Sequence, residues 1–207
     1  MMLPKENVLH FIKFNYRPLE KNGILKKLLL LWFCSGITAI FGPLKEILIP
    51  IFLIMDLFYT CLCIRALREK TIQEEIRFLI DGFQSLFLSF VGIIASYKIA
   101  TVSLGNNLIL LLTLLLLLML DIIIFAFVVY SNIKKDSYVN QYTGKKVIIY
   151  ALAGGIVGAL VSRSYLPEVS ATYLPLIVCC CIMILSFLLG IGSLNLLKYY
   201  FGKSMMQ

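Results

Sequence analysis

Two aspartates, Asp56 and Asp121, stand in the middle of long apolar runs. A charged carboxylate near the centre of a bilayer costs at least ~2.5–3.5 kcal/mol on insertion scales, so such residues face a bundle interior and mark proton or ion paths. Measured back from Arg65 and Ser131, where the runs end, the two lie about 13 and 15 Å inside at helical rise. At matching depth they are expected to share one cavity, where low dielectric and mutual repulsion would leave a proton held between them. Asp81 and Gln84, nearest in depth on the run between, complete a candidate intramembrane polar site of Asp56, Asp121, Asp81 and Gln84. The chemistry this points to is a proton or cation relay. The competing reading is two separate aspartates, each protonated and bonded to a neighbouring helix.

Other chemistry is scarce. The cysteines Cys34, Cys61, Cys63, Cys179, Cys180 and Cys181 all lie in apolar runs rather than polar loops, so free thiols are expected. Successive helical residues point about 100° apart, so neither Cys179–Cys181 nor Cys61 with Cys63 can chelate one ion from a regular helix. The single histidine, His10, is in the polar N-terminal segment, away in depth from any thiol it could activate. HExxH, Walker A and GxSxG patterns are absent from the sequence. No catalytic residue, metal or cofactor is therefore expected.

These residues must be carried by membrane helices. Of 207 residues 60% are hydrophobic and only 14% charged, with mean hydropathy +0.93. A soluble domain has about 25% charged residues, and a chain this short cannot hide the apolar surplus in one core. A soluble monomer and a disordered chain are excluded. Six spans are read at roughly 25–43, 45–64, 76–97, 107–130, 147–163 and 171–197, each near the ~20 residues needed to cross a ~30 Å hydrocarbon core. Their continuous runs do not alternate as barrel strands would. The domain organisation is a basic amphipathic segment over 1–24, a six-helix domain over 25–197 and a tail over 198–207.

Charge sets the orientation. Sixteen of the nineteen Lys and Arg fall in the N-terminal segment, the 65–77 and 131–146 connectors and the C-terminus; only Lys45, Lys98 and Arg163 fall on the other side. The positive-inside rule then puts both termini in the cytoplasm. The net charge of +8 lies in short stretches between apolar runs, which speaks for anionic lipid headgroups at the cytoplasmic face and against nucleic acid. Val8, Phe11, Ile12 and Leu19 recur at helical spacing, predicting an amphipathic helix on the membrane surface that starts near Pro4 and ends near Arg17, before Pro18. Signal-peptide character is not expected of the polar first 27 residues.

Local signals refine this. Thr71 and Glu74 fit a capping box, so the third helix is expected to begin in the cytoplasm and run on into the membrane. Pro43, Pro50 and Pro175 bracket or interrupt helix starts. In the fifth span Gly154 and Gly158 form a GxxxG, and Ala151, Gly155 and Ala159 a second small-residue row, the pattern of close helix packing or of a homodimer seam. Functionally the leading expectation is a small transporter, or the membrane subunit of a transport complex, multi-pass in a bacterial cytoplasmic membrane. The alternative is an immunity protein that binds a toxin or bacteriocin within the membrane.

Overall fold

The computed structural model describes residues 3–14, 20–68, 74–105, 107–138 and 174–206. These form helices α1 (Lys5–Lys13), α2 (Lys21–Ile40), α3 (Lys45–Arg68), α4 (Glu74–Leu104), α5 (Leu108–Lys134), α6 (Leu174–Gly192) and α7 (Asn195–Met206), with no strand among the described residues. Five stretches, Lys21–Ile40, Lys45–Arg68, Ile76–Val102, Leu108–Lys134 and Ile177–Ser204, are long and apolar enough to cross a membrane. The first four overlap the first four predicted runs and the fifth overlaps the predicted sixth. The predicted fifth span, with Ala151, Gly154, Gly155, Gly158 and Ala159, lies outside the described residues, as does the Thr71 half of the capping box.

α4 is the axis of the bundle. It packs along α6 over most of its length and also touches α2, α3, α5 and α7. It reaches Leu104, past the predicted end near residue 97. The reason is Lys98, which reads as an outer boundary in sequence but is buried, its ammonium donating to the carbonyls of Thr38 (2.6 Å), Ala39 (3.3 Å) and Phe41 (2.6 Å) at the end of α2. A cation there satisfies carbonyls that α2 leaves without helical partners and suits the negative end of its dipole. The α2–α3 turn that follows has Gly42 at φ +79° and Leu44 at φ +64°. Pro50 lies inside α3, which nonetheless runs unbroken.

Small residues make the α4–α6 contact. Gly82, Ser85, Ser89 and Gly92 recur on α4 at spacings of three and four, which puts them on one face. Opposite them stand Gly192, Gly190 and Ser186 of α6 and, at the Gly82 end, Leu196 of α7: a methyl group built on Gly82 would lie 2.6 Å from Leu196 Cγ and 2.9 Å from its backbone nitrogen. Methyls on Gly92 and Gly192 would collide with the hydroxyls of Ser186 and Ser85. Ser89 donates across the seam to the Ser186 carbonyl at 2.6 Å. Where lipid supplies no hydrophobic drive between helices, such close backbone approach supplies the packing. The residue order along the seam makes α4 and α6 antiparallel. Past it the predicted sixth span does not run straight to 197: Ser193 and Leu194 form a turn, with Ser193 Oγ bonded to the Gly190 carbonyl at 2.6 Å, and α7 continues as a separate helix.

α1 closes the end of the bundle where α2 begins. It ends at Lys13 rather than near Arg17, because Phe14 leaves the helix with extended backbone and gives its carbonyl to Lys198 at 2.5 Å. Its apolar side, Val8 and Phe11, is buried against Ile133, Tyr138 and Phe201, so protein covers the face that sequence assigns to lipid. Asn7 donates to the Ile133 carbonyl, and His10 Nδ1 meets Asp136 Oδ1, both at 2.9 Å. The Lys198 ammonium lies 5.3 Å from the Phe11 ring centre and 5.4 Å from that of Phe78, within cation–π range.

Candidate functional site

Several of the polar residues within the bundle converge on one face of α2. Lys27, Leu31, Ser35 and Thr38 follow one another at spacings of four, four and three, which stacks them on a single stripe. α3 presents its own stripe of Leu48, Phe52, Asp56, Tyr59, Cys63 and Ala66, all buried. Asp56 thus occupies a core position, 4% exposed.

Three polar levels result. Lys27 pairs with Asp81 of α4 at the end nearest α1, where Arg77 reaches the other Asp81 oxygen at 3.5 Å and Gln84 donates to the Lys27 carbonyl at 3.4 Å. About 12 Å along α2, eight residues at helical rise, Ser35 donates to Asp56 Oδ2 at 2.5 Å. The other oxygen, Asp56 Oδ1, is buried with no hydrogen-bond partner among the described residues. Thr60 donates back to the Asp56 carbonyl at 2.6 Å and accepts from the Trp32 indole at 3.0 Å, fixing this turn of α3 against α2. The third level is Thr38 with Lys98. Between the first two, Leu31 and Tyr59 are fully buried.

Three of the four sequence-predicted site residues, Asp56, Asp81 and Gln84, therefore share the α2 face, at two depths. Asp121 is not with them. Its carboxylate oxygen Oδ2 is turned toward Gly190 of α6, beside Ser89 and Leu118, and is buried without a partner among the described residues. The expected shared cavity of Asp56 and Asp121 is not formed: the two side chains face different helix interfaces. Lys27, Ser35 and Lys98 belong to the site and were missed in sequence, where the lysines read as boundary residues and the serine as filler. The 27–31–35–38 spacing was the signal available.

At the Lys98 level the stripe opens into a cleft of about 570 Å³ whose floor includes Thr38 and Lys98 and whose walls include Ile37, Phe41, Ile99 and Val178. All six cysteines are free, and among the described residues no three His, Cys, Asp or Glu side chains come together as metal ligands. The five apolar helices of spanning length among the described residues are compatible with a multi-pass membrane protein. No family model, curated protein or solved structure matches the chain.

Proposed function

We propose that the chain is a six-span membrane protein with both termini cytoplasmic, and that it works as a small transporter or the membrane subunit of a transport complex, moving a proton or cation along the α2 face. The observation that carries this is Asp56: a carboxyl group buried between α2 and α3, bonded on one oxygen to Ser35 and, among the described residues, unpartnered on the other. An orphaned acceptor at that depth is costly unless a proton or cation occupies it. Polar levels on either side, Lys27–Asp81 and Thr38–Lys98, supply steps toward both surfaces, and the 570 Å³ cleft supplies a mouth.

The test is proton flux into liposomes holding the purified protein, read by an enclosed pH-sensitive dye under an imposed potential. Asp56→Asn keeps the shape and the Ser35 contact but cannot titrate; flux should fall at least tenfold. Asp121→Asn, off the α2 face, should leave it within twofold. Wild-type flux no greater than that of empty liposomes would end the proton reading.

Orientation has its own test. Every described Lys and Arg except Lys45 and Lys98 lies at the α1 end of the bundle or on α1 itself. That asymmetry supports an α1 end in the cytoplasm. Reporter fusions after Lys135 and Lys203 should read cytoplasmic and one after Gly105 external; the opposite pattern would reverse the assignment.

A further inference from the structure

We infer that the outward face of α3 holds an anionic phospholipid of the leaflet at the α1 end, with Arg65 and Arg68 clasping its phosphate. Cys61, Ile64, Arg65 and Arg68 recur at helical spacing on one side of α3 and line a cleft of about 400 Å³. Both arginines are exposed, and neither takes part in an ion pair among the described residues, where the pairs are His10–Asp136, Lys27–Asp81 and Arg77–Asp81. A guanidinium presents a planar fork matched to phosphate oxygens, and two of them one turn apart can hold one phosphate between them.

What lies beneath the arginines selects a lipid over a soluble anion. Ile54, Leu57, Phe58, Cys61 and Ile64 form an exposed apolar stripe leading away from them toward the middle of the helix. From Ile54 to Ile64 it runs about 15 Å at helical rise, half of a ~30 Å hydrocarbon core. Charge at the top and one leaflet's depth of apolar surface below match the two parts of a phospholipid. Positively charged residues at a spanning helix end are also where anionic headgroups gather. The Asp56 path lies on the opposite, buried stripe of α3, so this site stands whether or not protons move there.

The full chain in a zwitterionic detergent is titrated with phosphatidylglycerol, phosphatidylcholine or glycerol phosphate, and thermal unfolding is followed. Phosphatidylglycerol should raise the unfolding temperature in a saturable way, and the other two should not. Arg65→Gln/Arg68→Gln should weaken the apparent affinity about 30-fold, taking each basic contact near the surface at its usual worth. It should leave the lipid-free unfolding temperature unchanged, because neither side chain has an ion-pair partner to lose among the described residues. Arg65→Lys/Arg68→Lys should recover only part. Lys134→Gln/Lys135→Gln, which removes the same charge from the exposed end of α5, should bind as wild type. Equal loss in that control would reduce the effect to diffuse attraction and overturn the site. Equal protection by glycerol phosphate would overturn the lipid as its occupant.

Discussion

Gly82→Ala should destabilise the protein more than an alanine at any other described glycine of the seam that α4 makes with α6 and α7. The added methyl would meet both the Leu196 side chain and its backbone nitrogen, at 2.6 and 2.9 Å, and backbone cannot rotate out of the way. Overpacking of this kind costs roughly 1–3 kcal/mol. Gly92→Ala presses chiefly on the Ser186 hydroxyl, which can turn aside at the expense of its bond to the Ile182 carbonyl, so its loss should be smaller. Gly36→Ala on α2, with nothing within 4 Å of the new methyl, should be neutral or gain up to about 1 kcal/mol from the stiffer backbone. Unfolding temperatures of the three variants in detergent test this order. A Gly82→Ala protein as stable as Gly36→Ala would mean the seam is not tightly closed.

The second large effect concerns Lys27 and Asp81. Asp81→Leu strands Lys27 between α2 and α4. Removing one partner of a buried pair costs about 3–5 kcal/mol; here the side chains retain 28% and 18% exposure, so roughly 2–3 kcal/mol is expected. Lys27→Met should cost less, because Arg77 still approaches Asp81 at 3.5 Å. The double variant Lys27→Met/Asp81→Leu should recover part of the loss, since an apolar pair of similar volume replaces the Lys27–Asp81 ion pair with little penalty while Arg77 still loses its contact with Asp81. A double-mutant cycle on the unfolding equilibrium measures the coupling. Strictly additive losses would mean that the two residues do not act as a pair.

These two sites show what was readable in the sequence and what was not. The helices at 21–40, 45–68, 74–104 and 108–134 follow from apolar runs alone, because a spanning helix must be long and apolar whatever it packs against. Helix ends were less readable: Lys98 resembles a boundary until α2 supplies three carbonyls for it. Phe14 ends α1 early because of Lys198, a residue far along the chain. The polar site was half legible. Depth can be counted from a span's end, and it placed Asp56 and Asp121 at one height. Height says nothing of azimuth, and α5 turns its aspartate toward α6 while α3 turns its own toward α2. Azimuth was recoverable for Asp56, which sits in step with Leu48, Phe52, Tyr59 and Cys63 on one stripe. The seam on α4 went unseen because serines interleave its glycines, and attention to GxxxG at 154–158 favours the denser motif.

The docking of α1 has a consequence for synthesis. Its anchors, Ile133, Asp136 and Lys198, are made long after it, and the Phe14–Lys198 bond joins residues 184 apart. At typical elongation rates of ~5–20 residues per second, roughly 10–40 s separate the two ends of that bond. During this interval Val8 and Phe11 leave the ribosome with no protein surface to cover them. A nascent amphipathic helix in that position has the membrane surface as its nearest apolar refuge. α1 can take its place in the fold only once α7 has been made, so the closing of this end waits until synthesis has reached Lys198.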